Sequence, residues 1–413
     1  MQPKLSVQNL YKIFGDNADA ALEMVRRGES KSAILSRTGA TVGVQDAGFD
    51  IHEGEIFVVM GLSGSGKSTL VRMLNGLITP TSGQVMIDGE DIARADTATL
   101  RRIRREKIAM VFQHFALFPH WTIAENVAYG LKVRGMTAGA RRARALEVLA
   151  QVGLEPWADS LPADLSGGMQ QRVGLARGLA ADPDILLMDE PFGALDPLIR
   201  RDMQTELLAL QKTLKKTIVF ITHDLNEALL LGNRIAIMKD GRIVQTGSAQ
   251  TIVTAPADDY VAAFVADIDR GRVFTAGDVA SEPTTIQLRS TSVREALRMM
   301  EQSGDRALYV LDGERVAGVV TYRDLAASEL DGATPDTTIG KSMITDFPTA
   351  NDDTQLHELY GPAGGGPPIA VTDGADRLLA VVEPHDVLTH LAGDAGEAAA
   401  DDIAQETADA QPR

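Results

Sequence analysis

The run Gly61-Leu62-Ser63-Gly64-Ser65-Gly66-Lys67-Ser68-Thr69 sets a lysine and two hydroxyls behind three glycines, matching the polyphosphate-binding spacing G-x-x-x-x-G-K-[ST] at every fixed position. Glycines let successive backbone N–H groups turn toward an anion, and the N-terminus of a following helix adds a favourable dipole. Lys67 is then expected to reach the β- and γ-phosphates and Ser68 to hold Mg²⁺. Such a loop needs a strand before it and a helix after it. Residues 55–60 read as a short buried strand, apolar from Ile56 on, and residues 69–76 have helical spacing. A nucleoside triphosphate site is predicted here.

Other reactive side chains stand at the ends of apolar runs, where α/β sheets present ligand groups. Residues 185–188 run into Asp189 and Glu190, residues 218–222 into His223, and residues 108–112 into Gln113. Asp189 is expected beside Ser68 on Mg²⁺, and Glu190 to orient or deprotonate the attacking water. His223 is expected on the γ-phosphate. Ser166-Gly167-Gly168 reads as a second helix start, with Ser166 as N-cap and exposed backbone donors. Phe14 closes the first strand, as a core residue or as a ring to stack on a nucleobase. His114 and His120 have no metal-ligand spacing.

The elements that position these groups follow from periodicity. Residues 5–10 alternate as a strand, residues 16–40 carry one or two amphipathic helices, and residues 42–51 return as a strand. Residues 84–89 read as a hairpin strand. The basic run 101–107 reads as a solvated helix face or a patch for acidic headgroups or a partner. Residues 121–153 are helical in pattern.

The 413 residues call for two or three domains. A net charge of −17 argues against a nucleic-acid-binding protein, and the absence of cysteine excludes disulfides, thiolate catalysis and cysteine zinc sites. Neither a spanning apolar stretch nor a secretory signal is present, so the chain is expected at the cytoplasmic face of the cell membrane, held there by partners.

In their order, Gln113, Leu165-Ser166-Gly167-Gly168-Met169-Gln170, Asp189-Glu190, Ala194-Leu195-Asp196 and His223 resemble the Q-loop, signature, Walker B, D-loop and switch histidine of ATP-binding-cassette (ABC) ATPases. The inserted helices, the run 111–120 and Ala194 through Arg200 further resemble the ATPase subunit of glycine betaine/proline betaine osmoprotectant importers. The resemblance implies an α/β fold: a P-loop ATPase domain over residues 1–268, with a helical insertion at 16–40 and a helical subdomain at about 114–165. It implies a head-to-tail dimer in which each ATP lies between one P-loop and the other copy's signature. Ser166, Gly167, Gly168 and Gln170 then face nucleotide in trans, Asp196 makes a cross-dimer contact, and Phe14 stacks on adenine. Glu190 is the general base and His223 the γ-phosphate contact. Gln113 joins Ser68 and Asp189 around Mg²⁺ and links to a membrane permease served by a substrate-binding protein. A non-transport cassette ATPase, or an importer subunit for another solute, is the alternative.

The C-terminal part carries an internal repeat. Residues 292–297 line up with 354–359, and Asp324 lines up with Asp386 at the same offset, 386 − 324 = 62. The repeat resembles a tandem cystathionine-β-synthase (CBS) module of α+β type, with copies at 272–332 and 338–393 and an acidic, disordered tail at 394–413. Thr321 and Asp324 match the pattern that holds a nucleotide's phosphate and ribose. Glu383 replaces that threonine in the second copy, where its charge opposes a phosphate, so one regulatory nucleotide site at most is expected. The other reading is a dimerisation or ionic-strength-responsive surface.

Overall fold

The computed structural model describes residues 2–113, 115–330, 339–364 and 366–392. His114 and the acidic tail lie outside the described residues. The chain divides into two compact units, Met1–Ala266 and Asp267–Arg413.

In the first unit β1 (Leu5–Phe14) pairs antiparallel with β2 (Thr41–Ile51), and the residues between them form α1 (Ala18–Arg26) and α2 (Lys31–Thr38). The apolar faces of both helices close on Ile13 and Val42, so the insertion folds onto the strands it interrupts. Ser30 starts α2 by accepting the Ala33 amide, and Gly39, at φ 70°, ends it. The all-buried strand β3 (Ile56–Met60) leads through the glycine loop into α3 (Lys67–Leu74). Next come β4 (Ser82–Ile87) and β5 (Glu90–Asp91), which complete an outer sheet of order β2-β1-β4-β5.

The basic run falls in α4 (Thr97–Glu106), and its charges are mostly committed within the fold. Arg102 binds Glu90 at 2.7 Å, Arg104 donates to the carbonyls of Asn75 and Gly76, and Lys107 pairs with Asp88. The expected free cationic face therefore shrinks to Arg101 and Arg105, which remain exposed.

β6 (Ile108–Phe112) precedes the helical subdomain of α5 (Ile123–Val127), α6 (Tyr129–Val133) and α7 (Ala138–Gln151), which packs on α8 (Gly167–Ala180). Then follow β7 (Ile185–Asp189), α9 (Pro197–Leu214), β8 (Thr217–Thr222), α10 (Leu225–Leu231), β9 (Arg234–Lys239), β10 (Arg242–Gly247), α11 (Ala249–Thr254) and α12 (Asp259–Val265). The central sheet has the order β10-β9-β3-β8-β7-β6, parallel except for the edge strand β10. Every residue of β3, β7 and β8 is buried, as a sheet covered on both faces requires. Phe49 of the outer sheet stacks on Phe57 of the central one at 4.8 Å, within the core between them.

The second unit contains α13 (Ala276–Val279), β11 (Thr285–Gln287), α14 (Val293–Ser303), β12 (Ala307–Asp312), β13 (Arg315–Thr321) and α15 (Tyr322–Leu330). A second set follows: β14 (Thr349–Ala350), β15 (Ile369–Thr372), β16 (Leu378–Val382) and α16 (Pro384–Ala392). Both three-stranded sheets pair their first two strands parallel and their last two antiparallel. A single 3₁₀ turn, Leu356–Leu359, stands where the first copy has α14. Tyr309, Val319, Ala370 and Val381 form a core common to both copies.

Candidate functional site

The glycine loop is shaped by close approach. Gly61 and Gly66 sit at φ 151° and 107°, and a Cβ on either would strike a backbone carbonyl, that of Met238 or Gly43 respectively. Gly64 is also left-handed, at φ 80°. Ser63 is exposed and Thr69 half-buried, while Ser65 has a buried hydroxyl without a hydrogen-bond partner among the described residues. Lys67 is 5% exposed, and its ammonium donates to the carbonyls of Gly61 (2.9 Å) and Leu62 (3.2 Å). Burial pushes the Lys67 pKa down, against the pull of Glu190 and Asp189.

The parallel sheet brings the sequence-predicted groups to one edge. Ser68 donates to Asp189 Oδ1 at 3.2 Å, and Lys67 lies 3.8 Å from Glu190. Burial holds the Asp189 carboxyl above its ordinary range in spite of the Ser68 hydrogen bond. Glu190 turns away from the strand at φ 47°, a left-handed conformation that is strained for a side chain of this kind. Its Oε2 meets His223 Nδ1 at 3.0 Å. Lys67, Ser68, Asp189, Glu190 and His223 thus form one cluster. Gln113 is exposed and leans toward Gly193, its amide nitrogen 3.2 Å from where a Cβ there would stand.

Phe14 is 41% exposed at the end of β1, with Lys12 Nζ 5.0 Å from its ring centroid. A Cβ on Gly43 would come within 2.8 Å of that ring, and the Gly43 carbonyl in turn abuts Gly66. Gly43 therefore connects the ring to the phosphate loop. Sequence reasoning missed it because a lone glycine inside a strand pattern carries no chemistry of its own.

The signature residues occupy another surface. Ser166 caps α8 by accepting the Met169 amide at 3.4 Å, and Gln170 spends its amide on the carbonyls of Pro162 and Leu165. Gly168 leaves room for Ile199 of α9, which starts at Asp196 with its carboxylate on the amides of Leu198 and Ile199. Among the described residues no hydrogen bond joins Ser166, Gly167 or Gly168 to the phosphate loop of the same chain.

In the second unit Thr321 donates to Asp324 at 2.6 Å beside a cleft of about 1170 Å³ that also receives Arg306, Glu383 and His385. Burial pushes the Glu383 carboxyl up, opposed by His385 and reinforced by Asp386 and Asp305.

Residues 44–193 match the ABC transporter family model and residues 276–331 the CBS domain model. The chain is 47% identical over 403 residues to the glycine betaine/proline betaine transport system ATP-binding protein ProV of Salmonella typhimurium, covering 96% of this chain and 99% of that one. It is 48% identical over 391 residues to the glycine betaine transport ATP-binding protein OpuAA of Bacillus subtilis, covering 94% and 93%. Among solved structures, a dimeric ATP-binding cassette in a post-hydrolysis state with ADP and Pi aligns with TM-score 0.50 and 36% identity, over 59% of this chain and 98% of that one.

Proposed function

The chain belongs to the ATP-binding subunits of glycine betaine/proline betaine ABC transport systems, and from that membership we infer that it is the ATP-hydrolysing motor of an importer for glycine betaine or a related quaternary amine. The observation that carries the catalytic part is the convergence of Lys67, Ser68, Asp189, Glu190 and His223 at one sheet edge.

Backbone donors of Gly61 through Thr69 and the Lys67 ammonium receive the phosphates, for which Lys67 exchanges two carbonyls of its own loop. Ser68 and Asp189 are hard oxygen donors 3.2 Å apart, the kind Mg²⁺ takes. Mg²⁺ held by these two residues would supply neutralisation of charge on the phosphate oxygens. Glu190 accepts the proton of the attacking water, and His223, within hydrogen-bonding reach of Glu190, keeps that carboxylate oriented and meets the γ-phosphate. Phe14 offers its exposed ring to adenine, with Gly43 giving clearance.

Ser166, Gly167, Gly168, Gln170 and Asp196 act on the nucleotide of a second copy, packed head to tail. Gln113 faces the membrane permease, with the substrate-binding protein acting through it, and the chain works at the cytoplasmic face of the membrane. None of its described helices is long and apolar enough to cross a bilayer. The cleft by Thr321 and Asp324 is the one regulatory nucleotide site of the pair, since Glu383 stands at the threonine position of the second copy, where its charge opposes a phosphate.

The test is ATP hydrolysis by the full chain reconstituted with its permease in liposomes, with and without glycine betaine, across internal salt. Hydrolysis that rises with betaine supports the importer reading. A response to a different solute replaces the cargo, and hydrolysis indifferent to any permease overturns the transport role.

A further inference from the structure

The turn that carries His223 is anchored to another element by a buried carboxyl group outside the cluster described above. Thr222, immediately before His223, accepts the Asp224 amide at 2.9 Å and donates its own hydroxyl to Glu227 Oε2 at 2.6 Å. The other Glu227 oxygen accepts the Gln204 amide of α9 at 2.9 Å. Glu227, Thr222 and Gln204 are all buried, at 5%, 2% and 8% exposure. The same elements meet once more where Arg200 of α9 lies 3.7 Å from Asp224 while donating to the carbonyl of Leu195. The helix that begins at Asp196 and the turn that presents His223 are thereby joined by a polar bridge.

Burying a carboxyl group is costly, and an apolar side chain would fill the same space without that cost. What an apolar residue could not supply is direction: the two Glu227 oxygens fix the Thr222 hydroxyl and the Gln204 amide at once. We propose that Glu227 is a positioning residue for His223, locking the Thr222–His223–Asp224 turn to α9 so that the His223 ring stays on Glu190 and displacement at Asp196 is felt there. The proposal rests on the ATP-hydrolysis reading above.

The experiment compares steady-state MgATP hydrolysis by the full chain as wild type, Glu227→Gln, Glu227→Leu and Thr222→Val, with thermal unfolding of each. Glutamine can accept from Gln204 and donate to the Thr222 oxygen, so Glu227→Gln is expected to keep kcat within about threefold. Glu227→Leu and Thr222→Val are expected to lower kcat about tenfold or more while KM for ATP stays within about threefold, because the phosphate loop is untouched. In a His223→Ala background Glu227→Leu is expected to cost nothing further, since both act through one group. Should Glu227→Leu fail to fold, Thr222→Val and Glu227→Gln decide alone. A lowered unfolding temperature with unchanged kcat, or an undiminished loss in the His223→Ala background, overturns the proposal. Absence of hydrolysis by the wild type overturns the ATPase reading and the proposal with it.

Discussion

Glu190, just after β7, and Glu227, in α10, show how the same side chain serves two ends around one histidine turn. Glu190 is partly exposed and bonded to a titratable ring, whereas Glu227 is buried between two neutral donors. Glu190→Gln is expected to reduce kcat about 10²- to 10⁴-fold with ATP binding retained, measured by hydrolysis alongside nucleotide titration. For Glu227, burial pushes the pKa up, the hydrogen bonds from Thr222 and Gln204 pull it back, Asp224 adds to the rise and Arg200 opposes it. The folded chain therefore holds this proton more tightly than the unfolded one. Stability falls as pH climbs from the ordinary carboxylate value toward the raised folded one, then stays level. Glu227→Gln, which has no charge to bury, is expected to unfold at a higher temperature than the wild type above that window and to lose the advantage below it, as calorimetry across pH would show.

The elements most accessible from sequence were those whose chemistry is local. The glycine loop, Asp189-Glu190 and His223 announce themselves because strand length and terminal residue coincide within a few positions. The strands β11 and β14 did not, since three and two residues are too short to show alternation. The partners of the basic helix were invisible for another reason: Glu90, Asp88 and the Asn75 carbonyl reach it only through the hairpin and the end of α3. Likewise Gln204 and Glu227 are separated by an entire strand. Tight contact between α8 and α9 at Gly168 gives a sharper test of element packing. Gly168→Ala is expected to cost about 1–3 kcal/mol by collision with Ile199, and Ile199→Ala in the same chain to recover part of it, read from denaturant unfolding.

For the chain as a whole, the division at Ala266 matters most. A protein ending there keeps Phe14, the cluster of Lys67, Ser68, Asp189, Glu190 and His223, and the helix starts at Ser166 and Asp196. It is expected to unfold cooperatively by itself and to hydrolyse ATP with the permease, while any dependence on internal salt disappears; hydrolysis that still tracks salt would assign that response to the first unit. The two copies within the second unit are unequal. The first packs Val293, Ala296, Leu297 and Met300 of α14 into its own core, but the second has only Leu356 and Leu359 of a single turn to offer. Less apolar surface is then lost to solvent when β14–β16 open than when β11–β13 do, so amide protons of the second copy should exchange first under native conditions. The repeat thereby acquires an order of opening: the second half can loosen, giving up Ala370 and Val381 of the shared core, while Val293, Leu297 and Met300 still hold the first half together.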